Sequence, residues 1–120
     1  MNIIFVGSGG AAGAILRYGL SLLPNKTDFP IWTLLTNLIG AVMIGFIAQL
    51  AVKKNLPAGA VLFLKTGVCG GFTTFSTFSL EAYTLLHKGA FGLGSAYIVL
   101  SVVLCLAGIL LGTWTANMVV

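Results

Sequence analysis

Apolar residues in this sequence do not recur at a helical or strand period; they run on almost without interruption. Four such runs are separated by short polar joints. Ile3 to Leu23 is broken only by Arg17, and Ile31 to Val52 holds no charge. Ala58 to His87 contains Lys65 and Glu81, and Ala90 to Val120 has no charged side chain. Roughly 20 apolar residues rising about 1.5 Å each cross a hydrocarbon core, so every run is long enough to span it. Lipid offers the backbone no hydrogen-bond partner, which leaves helices or closed barrels, and barrel strands need an alternation of polarity absent here. The predicted architecture is an all-α integral membrane protein. It has one domain over 1–120, with spans near 3–23, 31–52, 58–87 and 90–117.

The joints read as loops: Pro24 to Pro30, Lys53 to Pro57, then Lys88 and Gly89. The first run does not read as a cleaved signal peptide, because it lacks a basic leading region and carries Arg17 near its far end. Composition sharpens this picture. The chain is 58% hydrophobic and 7% charged, whereas soluble domains carry about 25% charged residues. So apolar a chain is not disordered. The net charge of +4 comes from six basic residues, scattered singly or in one pair. They build no phosphate-tracking patch, and no nucleic-acid partner is expected.

With four spans, Lys53 and Lys54 fall on one side of the membrane, and Lys26, Lys88 and the nearby Arg17 on the other. So even a balance gives almost no orientation signal under the positive-inside rule. Insertion in both orientations is expected, with two opposed copies pairing about an axis in the membrane plane. The alternative is that the amino terminus or a partner decides topology.

The run from Gly7 to Ala12 fits the G-x-G-x-x-A dinucleotide fingerprint, with Asp28 some way downstream. That motif needs a βαβ unit, and no strand–helix alternation exists here. Gly9, Gly13 and Arg17 instead fall four apart, the small-xxx-small pattern of packed membrane helices. Cys69 and Cys105 lie within spans and, with one histidine, make no metal spacing. They read as small packing residues.

Polar groups inside the membrane are costly and become the functional candidates. Thr33, Asn37, Ala41 and Gly45 share one face of the second span. Asn37 either bonds a neighbouring helix or offers its N–H groups to a solute. Tyr97, Ser101, Cys105, Gly108 and Gly112 form a stripe on the fourth span, either a helix contact or a ladder of weak donors. The third span is the most informative. Gly70-Gly71 is followed by five hydroxyls in the seven residues from Thr73 to Ser79. This pattern predicts a helix broken at mid-membrane, with hydroxyls re-satisfying the backbone and freed carbonyls able to hold a cation. A plain Ser/Thr-rich helix is the alternative.

The stretch Gly70-Gly71-Phe72-Thr73-Thr74-Phe75-Ser76-Thr77-Phe78 resembles the signature of the Fluc/CrcB family of microbial fluoride channels. Gly9 to Tyr18 is similar to that family's first-helix motif, and Thr33, Asn37 and Gly40 to its second-helix T-x-x-x-N-x-x-G. The resemblance runs in order through all four spans. It implies a fluoride-specific channel that exports fluoride passively and relieves its toxicity, built as a dual-topology antiparallel homodimer in the plasma membrane, such as a bacterial inner membrane. A heterodimer with a homologous chain is left open. It further implies one structural sodium ion held by the carbonyls of Gly70 and Thr73. Asn37, Phe75 and Phe78 would line the pore beside Ser76 and Thr77. Tyr97, Ser101 and Cys105 would form a polar track, Cys105 being a departure where a hydroxyl is more usual. Arg17, Thr33, Gly71 and Glu81 stand as supporting positions, no organic cofactor is expected, and Lys65 is expected to snorkel toward headgroups.

The chemistry of the residues agrees with that resemblance. Fluoride is small and strongly hydrated, so a pore must replace its water with donors such as amide N–H and hydroxyl groups. Aromatic rings add a positive edge. Neither acid is expected beside the two polar stripes. Glu81 is left with two readings, a bond to the Thr77 region or a place at a vestibule. Crowding at the backbone break is the expected effect of Gly70→Val. A cation antiporter would share the size and dual topology but normally needs an intramembrane acid, for which Glu81 is the one candidate. A purely structural subunit would explain the glycine seams but not the hydroxyl cluster, and no nucleophile–base pair suggests an enzyme.

Overall fold

The structure, a computed structural model, describes every residue from Met1 to Val120. It is all helical, and four of its helices are long and apolar enough to cross a membrane: α1 (Asn2–Ser21), α2 (Ile31–Lys54), α3 (Ala58–His87) and α4 (Phe91–Val119). The segment 22–30 is the longest connection, and it carries Pro24, through which a helix is hard to continue. α2 runs two residues beyond the Val52 limit read from hydropathy, because Lys53 and Lys54 sit in its last turn. Cations are favoured there by the helix dipole. Asn55 then ends the helix in the left-handed conformation, at φ 51°. Gly89 makes the turn into α4 at φ +88°, a region glycine enters without strain.

α3 is irregular along its length. Residues Leu62–Cys69 are wound as π-helix, and helical dihedrals continue through Gly70–Phe72. Thr73 (φ −83°, ψ 155°) and Thr74 (φ −150°, ψ 114°) are extended, and the helix resumes over Phe75–His87. Thr74 caps that resumption, its hydroxyl accepting the Thr77 N–H at 3.2 Å.

Packing pairs the helices through glycines. α1 lies on the first half of α3, with Gly9 against the Phe63 carbonyl and Gly13 against the Val68 carbonyl, too close for any Cβ. Gly71 answers from the other side, against the Gly10 carbonyl. α2 lies on α4 in the same manner, Gly45 on the Ile109 backbone and Gly112 on the Val42 carbonyl. Small residues let backbones approach where dispersion, not water exclusion, is the driving force. The second half of α3 joins α2 and α4 through Leu34, Ala82, Leu85 and Tyr97, which form the core cluster.

The resulting slab measures 49 × 30 × 21 Å. Only 19 of 120 residues are buried, and apolar side chains such as Ile3 and Leu110 point outward. Such a surface suits hydrocarbon and would be untenable in water. Gly70 differs from the other α3 glycines. Nothing lies within 4 Å of a Cβ placed on it, so the crowding expected for Gly70→Val does not arise within one chain.

Candidate functional site

The site is organised by the interruption in α3. Thr74 donates its N–H to Asn37 Oδ1 at 2.8 Å, and Asn37 Nδ2 donates to the Thr74 carbonyl at 3.1 Å. Asn37 thus does for Thr74 what the next peptide of a helix would do. In a regular helix the Thr74 N–H would serve the Gly70 carbonyl, and the Thr77 N–H would serve that of Thr73. Here the first goes to Asn37 and the second to the Thr74 hydroxyl, so both carbonyls lose those donors. The Gly71 carbonyl is served from α1, by Arg17 Nε at 3.1 Å.

A cavity of about 330 Å³ opens beside this junction. It brings together Asn37, Thr73, Phe75, Phe78, Ser101 and Cys105, from α2, α3 and α4. The Phe75 and Phe78 ring centroids are 5.6 Å apart. The Ser101 hydroxyl is buried at its edge with no hydrogen-bond partner. Buried polar atoms are normally satisfied, and an orphan asks for an explanation such as a missing ligand.

Other residues singled out in the sequence lie elsewhere. Ser76 is exposed and does not line the cavity. Thr77 lines a second, smaller crevice of about 70 Å³ with Arg17, Thr33 and Thr36, and only Thr74 lines both. Tyr97 is fully buried behind the cavity, its ring centroid 5.2 Å from that of Phe78. Gly70 is exposed, and Gly71 faces α1.

The expectation for Glu81 needs correction. Glu81 does not stand apart from the polar stripes. Thr33 Oγ1 donates to its Oε1 at 2.7 Å, and the Tyr97 hydroxyl donates to its Oε2 at 3.2 Å, so the carboxylate joins both stripes. Its bonds go to these two groups rather than to Thr77. A carboxylate at this depth must collect donors, and the nearest ones are on the neighbouring helices. Thr74, the hub of the site, was not among the residues singled out. Its signal was a capping one: a threonine following a glycine pair and opening a new helical run.

Four membrane-length helices, three of which border a cavity where an amide, hydroxyls and two phenyl rings sit among aliphatic side chains, define a small multi-pass membrane protein. The chain belongs to the CrcB family: the family model described as CrcB-like protein, Camphor Resistance (CrcB), matches residues 4–113. Among its relatives is the fluoride-specific ion channel FluC of Ruminiclostridium cellulolyticum, 45% identical over 98% of this chain and 93% of that one. The FluC proteins of Roseiflexus sp. (42%, over 98% of each chain) and Agrobacterium fabrum (40%, over 93% of each) are similar to it over comparable lengths.

Proposed function

We propose that this chain is a fluoride-specific channel, and not an enzyme, through which fluoride leaves the cell passively so that its cytoplasmic concentration and toxicity fall. The observation that carries this reading is the orphaned Ser101 hydroxyl in a cavity shared with Asn37, Phe75 and Phe78. The names of the relatives point to the same solute. An anion stripped of water needs donors. Ser101 supplies an unused O–H, and Asn37 retains its second Nδ2 hydrogen after serving Thr74. The positive edges of the two phenyl rings add attraction without a fixed charge that would trap the ion. Cys105, also at the cavity, continues the donor ladder with a weak S–H.

The working unit of this reading is an antiparallel homodimer of dual topology. Lys65, Thr66, Gly70, Phe75 and Ser76 are exposed along α3 in a single chain, Phe75 by 80%. Polar groups and backbone breaks at membrane depth call for protein cover. The carbonyls of Gly70 and Thr73, released from their helical donors, suit a hard cation such as sodium. Bound there, sodium would supply a fixed positive charge tying the broken segments together.

The test is efflux from liposomes holding only the purified chain. Fluoride release with chloride strongly rejected is expected. Comparable chloride currents, or proton-coupled uptake of an organic cation, would overturn the assignment. For topology, tags at the C-terminus should report both membrane faces, and two lysines added to one side should fix the orientation and abolish flux. Full activity from one forced orientation rules out the antiparallel dimer.

A further inference from the structure

At the end of the bundle where α3 meets α4, a third cavity of about 460 Å³ opens outward between the 22–30 loop and the last turns of α3. Glu81, already joined to Thr33 and Tyr97, lies along it, and Asp28 and Lys88 line it as well. Lys88 Nζ stands 3.4 Å from Asp28 Oδ2, the one ion pair of the molecule. Both partners are substantially exposed, 46% and 75%, so the pair has little value as a stabilising contact.

The backbone on each side is nevertheless fixed. In the loop, Asn25 Nδ2 donates to the Phe29 carbonyl at 2.8 Å, the Thr27 N–H donates to Asn25 Oδ1 at 3.0 Å, and Trp32 Nε1 donates to the Pro24 carbonyl at 3.0 Å. On the helix, the Lys88 N–H donates to the Thr84 carbonyl and the Ala90 N–H to that of Leu85, at 3.1 and 2.9 Å. Two rigid segments thus hold one cation and one anion together beside a cavity whose other charge is an acid.

Resting on the channel reading above, we propose that this cavity is a mouth of the ion path, linked through Glu81 and Tyr97 to Phe78 of the Ser101 cavity, that Lys88 is its anion-capture residue, and that Asp28 sets how much of its charge an entering anion meets. The ligand class is a small inorganic anion. Glu81 and Asp28 both disfavour such an ion, and Lys88 is the one basic side chain lining the cavity. Lys88 offsets one of the two acids, so an entering anion meets one net negative charge; losing Lys88 would double that repulsion and losing the Asp28 charge would remove it.

The experiment is fluoride efflux from proteoliposomes at limiting fluoride, with an impermeant salt setting the ionic strength. Wild type, Asp28→Asn, Lys88→Gln and the double variant are compared. At about 0.01 M salt, Asp28→Asn should raise initial flux by about two- to threefold and Lys88→Gln should lower it by a similar factor, the effect of one unit charge near 8 Å in water. The double variant should fall between them. At about 1 M salt, where the screening length is near 3 Å, all four should converge. If the pair is only a latch between loop and helix, the two single variants and the double will shift in the same direction, and the proposal fails. Equal flux at low salt, or differences that persist at high salt, also overturns it. Wild type that releases no fluoride at any salt would instead overturn the channel reading.

Discussion

Asn37 and Thr74 exchange two hydrogen bonds, amide to carbonyl and N–H to amide oxygen, at 3.1 and 2.8 Å. One asparagine side chain on α2 thereby replaces the peptide that α3 lacks at its interruption. Of the two readings open for this residue in the sequence, the bond to a neighbouring helix is the one seen, and the side chain also borders the cavity. Asn37→Ala would leave the Thr74 N–H and carbonyl unpaired, at a cost of about 1–3 kcal/mol for each buried group. Both the melting temperature in detergent and fluoride flux should fall. Asn37→Asp should do no better, since a carboxylate has no hydrogen for the Thr74 carbonyl and adds a negative charge at the cavity. Wild-type melting for Asn37→Ala would show that water or a rotated segment replaces the bonds.

The two phenylalanines of the cavity are not equivalent within one chain. Phe78 is half-buried, 5.2 Å from the Tyr97 ring, while Phe75 is 80% exposed. Phe78→Ile, which loses both ring pairs, should therefore lower stability by about 1–3 kcal/mol, and Phe75→Ile, which loses one exposed pair, by about 1 kcal/mol or less. If ring edges meet fluoride, flux should fall greatly in both, because isoleucine keeps apolar bulk but has no quadrupole. Efflux and thermal unfolding measured on the same samples separate the two effects. Undiminished flux in both variants would make the rings packing alone.

Much of this was legible in the residues themselves. Uninterrupted hydropathy marked the four spans, and the Gly9–Gly13 spacing marked the α1 seam, because both depend on local sequence. The two extended residues of α3, Thr73 and Thr74, fall within the hydroxyl-rich stretch, while the glycine pair before them stays helical. What spacing did not convey is how the parts on either side of Thr73–Thr74 are turned relative to one another. Ser76 and Thr77 are a different case: in the helix that resumes at Phe75 they are turned roughly 100° and 200° from it, off the side Phe75 and Phe78 share, so spacing alone already takes them out of the cavity. Glu81 was misplaced because its partners Thr33 and Tyr97 are 48 and 16 residues away, and only tertiary packing brings them together.

The glycines of α1 and α3 separate chain folding from assembly. A Cβ at Gly13 would overlap the Val68 carbonyl, and one at Gly71 the Gly10 carbonyl. Gly13→Ala and Gly71→Ala should force α1 away from α3 at about 1–3 kcal/mol, lowering yield and melting temperature. Gly70 is helical and open, so Gly70→Ala should leave the single chain intact or stabilise it by up to about 1 kcal/mol. If a second copy covers Gly70, that variant should elute as a smaller particle on size exclusion while remaining folded by circular dichroism. An unchanged elution volume with full flux would place the dimer contact elsewhere.

Ser101 and Tyr97 allow a sharper distinction, because both are buried hydroxyl donors on α4, one turn apart, yet only one has a partner. Tyr97 donates to Glu81, so Tyr97→Phe removes a made bond and should cost about 1 kcal/mol or more. The Ser101 hydroxyl is unsatisfied, so Ser101→Ala removes an orphan and should leave stability unchanged or raise it by about 1 kcal/mol. Function should run the opposite way. Ser101 borders the cavity with an unused donor, whereas Tyr97 lies behind it and acts through Glu81 and Phe78. Fluoride efflux should therefore drop further in Ser101→Ala than in Tyr97→Phe, although the alanine variant melts higher. A protein that is stabilised and less active at once is what removal of a ligand-binding donor produces, and simple loss of packing does not. If Ser101→Ala instead melts lower and conducts normally, its hydroxyl has a structural partner, and the donor ladder must be drawn through other residues.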